Sequence, residues 1–246
     1  MNSTNPTHQQ SDYQQFMAGC IACIPTVLGY LAIGFSAGAL ARVSGMSAME
    51  VALMSLILYA GSGQFIVAGM VSSHAATVSI LVAIFFVNLR HLLMSAYLVP
   101  WLKHMGILRN FILGAQLTDE TFGVASVQAQ DKGHLTFAWM LGLNLTAYLN
   151  WLIGNVAGAL LVTLIPANLM DSLQFALVSM FVGLIVLQIS SARNRVIQII
   201  AAVMTVALFK PVSLIFGKDF SVVMTAVIAS FVATGVLRWK SGTKSS

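Results

Sequence analysis

The chain has 246 residues, 58% of them hydrophobic and 8% charged, with a formal net charge of +5. Soluble domains carry roughly 25% charged residues, so this composition excludes a soluble domain and points to an all-α, polytopic integral membrane protein. In a soluble chain the positive excess would suggest nucleic acid. Here it reads as topology, because the basic residues cluster in short loops.

Residues 1–15 are polar and Gln-rich and hold no Lys or Arg. They lack the positive region of a signal peptide and read as a disordered tail. A single transmembrane domain is expected over 16–238, followed by a basic tail at 239–246. Apolar segments recur at 16–41, 49–71, 76–102, 135–164, 172–189, 196–216 and 220–237. Each approaches the roughly 20 residues that span a bilayer as helix, so about seven spans are expected.

The first segment carries Cys20 and Cys23. There is no second C-x-x-C and no neighbouring His, so the pair reads as two small helix residues, with no metal or disulfide implied. The second segment contains Tyr59-Ala-Gly61-Ser62-Gly-Gln64-Phe65. Two glycines, a serine and a glutamine interrupt an apolar helix near its middle, and each Gly costs a helix about 1 kcal/mol. A break here would free backbone N–H groups at a half-helix N-terminus, a site for a carboxylate. The bland reading is close helix packing at Gly61 and Gly63.

The third segment places Arg90 near the middle of its apolar run. A charge at that depth costs at least about 2.5–3.5 kcal/mol unless a partner, a water-filled cavity or an anionic ligand offsets it. Arg90 either grips a substrate carboxylate through a bidentate fork or forms a structural ion pair. Asn88 and His91 share a helix face with Ser95, about 100° from Arg90. His91 is either a proton relay or a packing residue.

Segment 110–129 is moderately apolar but carries Thr118, Asp119 and Glu120 in its middle. Thr118 is a candidate N-cap that would put Glu120 and Thr121 in the first turn of a helix. Asp119 and Glu120 then belong to a solvated helix start, or they bind an ammonium group, carry a proton or neutralise Arg90. Segment 135–164 is about 45 Å long as helix, too long for one upright span. It contains Gly142, Asn144, Asn150 and Gly154, which mark a tilt or a break.

If 110–129 does not cross, Arg42, Lys103, Arg109, Lys132 and the basic residues at 193, 195, 238, 240 and 244 fall on one side. The positive-inside rule then sets the N-terminus outside and the C-terminus in the cytoplasm. A faint repeat is also visible. Gly34-x-x-x-Gly38 precedes Glu50, and Gly154-x-x-x-Gly158 precedes Asp171, at offsets of 120 and 121 residues. In that orientation the two triplets of spans would be inverted, the usual build of secondary transporters.

No H-E-x-x-H, G-x-S-x-G or P-loop is present, so no enzyme motif and no direct ATP coupling are indicated. A hydrolase would need a nucleophile and a base, and Ser62 with His91 is the only central pair. Taken together, the 59–65 motif, Asn88-Leu-Arg-His91 and Leu117-Thr-Asp-Glu120 resemble the AzlC-type large subunit of bacterial branched-chain amino acid exporters. The similarity covers about residues 16–238, and Gly63 departs from the Ala-Ser-Gln of many relatives.

The resemblance implies export of Leu, Ile, Val and Met across the bacterial cytoplasmic membrane, and a small hydrophobic AzlD-type partner subunit. A proton-driven exporter with no cofactor is the expectation; the alternatives are a transporter of another small organic solute with the same fold and a non-transporting membrane protein. Tyr59, Gly61, Ser62, Gln64, Phe65, Asn88 and Arg90 are the expected substrate-binding residues. His91, Asp119 and Glu120 are expected to bind the ammonium group or couple protons. Phe65, Phe85 and Phe86 are expected to line the side-chain site.

Overall fold

The computed structural model describes residues 11–164, isolated positions between 166 and 189, and 195–242. The chain divides into two compact units, Met1–Leu177 and Val178–Ser246. The first contains α1 (Asp12–Val43), α2 (Ala48–Ile57), α3 (Gly61–Ser72), α4 (Thr77–Leu102), α5 (Ile107–Ala115), α6 (Asp119–Lys132) and α7 (Phe137–Leu161), which a 3₁₀ turn extends to Leu164. Among the described residues only α1, α4 and the α7 segment are long and apolar enough to cross a membrane.

The frame of this unit is the α1–α7 pair. Glycines bring the two backbones together. A Cβ on Gly34 would lie 3.1 Å from the Trp151 carbonyl oxygen, and one on Gly154 would lie 2.9 Å from that of Leu31. At Gly19, Gly38, Gly142 and Gly158 a Cβ would overlap the facing backbone outright. This is the small-residue packing that membrane helices use where the hydrophobic effect cannot hold them together.

The contacts climb both helices together: Gly19 meets Trp139 and Gly38 meets Asn155. The two helices are therefore parallel. The inverted relationship expected for them does not hold, because the two glycine pairs are facing halves of one interface.

The expected span 49–71 is corrected as well. Its arms α2 and α3 are about 15 and 18 Å long, each too short for a bilayer of about 30 Å. Val51 near the start of α2 and Ala68 near the end of α3 share one apolar cluster with Ala41 and Ala159. Those two residues lie at the C-terminal ends of α1 and α7, so the α2–α3 chain enters and leaves at the same end. It is a re-entrant hairpin.

The α5–α6 segment does the same from the opposite end. The Arg109 guanidinium sits 5.2 Å over the Phe137 ring, where α5 and α7 begin. Deeper in, the Asn144 amide donates to the Leu113 carbonyl. The chain returns along α6 and stops at Gly133, left-handed at φ 72°, three residues before the α7 N-cap Thr136. Segment 110–129 therefore turns back without running from end to end.

These elements form an inverted repeat of their own. The starts of α5, α6 and α7 follow those of α2, α3 and α4 by 59, 58 and 60 residues. Each half is a re-entrant hairpin followed by a long helix, and the two halves run in opposite directions. The repeat also divides the charges. Arg42 lies at the end where α2 enters, whereas Lys103, Arg109 and Lys132 lie where α1 and α7 begin, so the four do not share a side as expected.

In the second unit α8 (Arg195–Gly242) runs unbroken through both expected spans, 196–216 and 220–237. The intervening Gly217-Lys218-Asp219 holds no proline, and one glycine costs a helix only about 1 kcal/mol. Expected span 172–189 lies almost entirely outside the described residues, as does Asp171.

Candidate functional site at the meeting of two helix breaks

Backbone polar groups exposed inside a membrane must find partners in the protein, and the first hairpin tip finds them in side chains. After α2, Leu58 and Ala60 leave helical geometry. The Leu58 carbonyl accepts from the Gln64 amide at 2.8 Å and from the Ala60 N–H at 2.9 Å. The Leu56 carbonyl accepts from the Tyr148 hydroxyl at 2.8 Å. Gly61 lets the Trp151 ring rest on the tip, since a Cβ there would be 3.2 Å from it. No side chain caps the start of α3. Its first N–H groups, at the positive end of the helix dipole, are therefore available to an anion.

The second tip is closed differently. Asn144 donates to the Leu113 carbonyl at 3.1 Å. Thr118 N-caps α6, as the sequence suggested, and does so in a reciprocal box with Thr121. That helix start is not solvated, because Thr118 and Thr121 are buried. The Thr118 hydroxyl shares a hydrogen bond with the Tyr30 hydroxyl, and both lie beside the Glu120 carboxyl.

Arg90 joins the two tips. Its Nη2 donates to Ser62 Oγ at 2.7 Å, and its Nη1 pairs with Asp119 Oδ2 at 2.6 Å. The side chains of Arg90 and Asp119 are 24% and 16% exposed. One carboxylate and one hydroxyl thus offset the cost of a charge halfway along α4. Glu120 forms no ion pair among the described residues, which separates the two acidic neighbours into one committed and one uncommitted group.

The remaining expected site residues fall into place unevenly. Gln64 and Phe65 are buried at the first tip, and Tyr59 packs edge-on against Tyr148 with centroids 4.9 Å apart. Asn88 and His91 are partly buried, and Asn88 Oδ1 and His91 Nε2 are enclosed without a hydrogen-bond partner among the described residues. Phe85 is 63% exposed. It faces outward and does not line the site, because α4 presents only one face to the bundle.

Helix α7 is continuous, so its Asn144 serves as a donor to the α5 end and does not mark a break. Tyr30, Tyr148 and Trp151 had no signal of their own in the sequence, since aromatic residues in apolar helices are commonplace. Cys20 and Cys23 are free thiols, and Cys20 Sγ contacts the Gly142 carbonyl.

Comparison with known proteins gives a consistent picture. A family model described as AzlC protein matches residues 25–165. A membrane protein of Archaeoglobus fulgidus is 31% identical over 183 residues, covering 72% of this chain and 78% of its own length. The Escherichia coli inner membrane protein YgaZ is 27% identical over 146 residues, covering 58% of this chain and 60% of its own. The branched-chain amino acid transport protein AzlC of Bacillus subtilis is 25% identical over 169 residues, covering 67% and 64%. No solved structure matches.

Proposed function

This chain belongs to the AzlC family, and from that premise we propose that it is the large subunit of a secondary transporter for branched-chain amino acids. It exports Leu, Ile and Val across the bacterial cytoplasmic membrane against an inward proton flux, beside a small AzlD-type membrane subunit. The observation that carries this reading is the bonding of Arg90 to both hairpin tips at once. A cation that ties together two short arms entering from opposite ends is placed to respond to a ligand from either side.

In this reading the substrate carboxylate binds Arg90 and the uncapped N–H groups of Gly61, Ser62 and Gly63. It takes Arg90 from Asp119, which is then free to accept a proton. Glu120 receives the α-ammonium, and His91, one residue from Arg90, relays protons. Ser62 accepts a hydrogen bond from a cation. That arrangement does nothing to activate it as a nucleophile, so transport is favoured over hydrolysis. The positive-inside rule, applied to Lys103, Arg109 and Lys132 without Arg42, puts the end where α1 begins in the cytoplasm, the reverse of the N-terminus-outside orientation expected from the sequence.

The test is export of isoleucine from cells or proteoliposomes that hold the chain with its partner. Isoleucine leaves in a manner abolished by collapsing the proton gradient, and excess leucine or valine competes. An Arg90→Ala variant at normal abundance that exports like the wild type would sink the carboxylate role.

A further inference from the structure

Between α4, the α5 arm and α7 lies a cavity of about 120 Å³. Leu98, Leu113, Leu117 and Met140 wall it, and all four are buried. We propose that this cavity receives the aliphatic side chain of the transported amino acid. The proposal rests on the transport reading above and replaces the outward-facing Phe85 as the expected lining.

Three observations support it. The first is chemistry. Leucine and methionine side chains make up most of the wall; Ser95 and Asn110 are its uncharged polar members, and the only charged lining residue, Lys103, is exposed at the C-terminal end of α4. An aliphatic cavity of about 150 Å³ stays dry and binds benzene. A cavity of 120 Å³ suits a branched chain of about four carbons and leaves a methyl group poorly packed.

The second is position. Ser95 lines the cavity and lies five residues beyond Arg90 on α4, about 7.5 Å of helix rise. Leu117, on the opposite wall, precedes Asp119 by two residues. On both walls a lining residue therefore lies a few residues along the chain from a member of the ion pair.

The third is the pair of small residues in the lining. Ser95 and Gly114 face each other, and a Cβ on Gly114 would lie 3.7 Å from Ser95 Oγ, in ordinary van der Waals contact. A larger side chain at either position takes up cavity volume. Ser95 also continues the Asn88–His91 stripe, so that polar stripe and the apolar cavity share one face of α4.

The experiment measures export of isoleucine, alanine and phenylalanine in proteoliposomes that hold the chain with its partner subunit, for the wild type, Gly114→Leu and Leu98→Ala. Gly114→Leu should lower the isoleucine-to-alanine ratio about tenfold or more, the discrimination that one or two methylenes give in an apolar pocket. Leu98→Ala should raise the phenylalanine-to-isoleucine ratio. Ratios within one variant do not depend on how much protein inserts. If Gly114→Leu fails to insert, Gly114→Val and Leu98→Ala give the same ratios.

Unchanged ratios in inserted variants overturn the cavity assignment and leave the transport reading standing. An equal loss for every substrate does the same, and marks the cavity as a packing or lipid-tail site. A wild type that moves no aliphatic amino acid overturns both.

Discussion

Arg90 and Asp119 belong to opposite halves of an inverted repeat, yet their side chains meet at 2.6 Å. Arg90 sits halfway along the long helix of the first half, and Asp119 opens the returning arm of the second hairpin. Removing one partner of such a pair strands the other charge, at about 3 kcal/mol for a pair this enclosed. Arg90→Ala and Asp119→Ala should each lower the thermal stability of the detergent-solubilised protein. The exchange Arg90→Asp with Asp119→Arg should restore much of that stability without restoring export. If the exchange also restores export, Arg90 is a structural ion pair only, and the substrate is held by the backbone.

Ser62 tests the chemistry of the first tip. Its hydroxyl accepts from Arg90 at 2.7 Å, and losing a hydrogen bond to a charged group costs about 1.5–3 kcal/mol. Ser62→Ala should therefore raise the isoleucine concentration for half-maximal export about tenfold or more while leaving the maximal rate within a few-fold. A complete loss of turnover at full abundance would instead revive the nucleophile reading.

Gln64 and Asn144 do the same job at the two breaks. Each gives a second donor to a carbonyl at the end of a short helix, at 2.8 Å to Leu58, which also accepts from Ala60 N–H, and at 3.1 Å to Leu113, which also accepts from Gln116 N–H. Replacing either by Leu removes one of the two hydrogen bonds to that carbonyl, which costs about 0.5–1.5 kcal/mol. Gln64→Leu and Asn144→Leu should both lower the melting temperature, and their effects should add because they act at separate tips. No loss in either would mean that water reaches the carbonyl.

The glycine interface makes a sharper contrast. A side chain at Gly38 or Gly158 would overlap the facing backbone, whereas a methyl group added at Gly29, on the same α1, would meet nothing within 4 Å. Gly38→Leu and Gly158→Leu should abolish accumulation of folded protein. Gly29→Ala should be neutral or stabilise by up to about 1 kcal/mol, since it only narrows the unfolded ensemble. Fluorescence-detected size exclusion of tagged variants reads both outcomes.

What the sequence revealed follows from cost. Arg90 stood out because a charge in an apolar run needs a partner, and residues 59–65 and 117–122 stood out because their polar groups do not belong in a membrane helix. Those three features are the ones the structure brings together. Direction was not legible. An apolar stretch of about 25 residues fits a span and a hairpin equally well, and only contacts such as Val51 and Ala68 in one cluster tell them apart. The repeat of about 59 residues was hidden because its halves use different residues for equivalent tasks, Gly61-Ser62 at one tip and Thr118-Asp119 at the other. The glycine spacing that looked like a repeat was instead two sides of one contact.

The hairpins give the most direct prediction. Cysteines placed one at a time in a Cys20→Ser, Cys23→Ser background report which face of the membrane each loop meets. Ser44 and His74 bracket the α2–α3 hairpin, and Gly106 and Lys132 bracket α5–α6. Two re-entrant hairpins require Ser44→Cys and His74→Cys to react with a membrane-impermeant thiol reagent from one side. Gly106→Cys and Lys132→Cys must then react from the other. A crossing α2–α3 segment would instead put Ser44 and His74 on opposite sides. The positive-inside rule adds the sign: Gly106→Cys and Lys132→Cys should be labelled only in inverted vesicles. Labelling of that pair in intact cells would reverse the orientation while leaving the hairpins in place, because the sidedness of the two pairs and the folding of each hairpin are read from different comparisons.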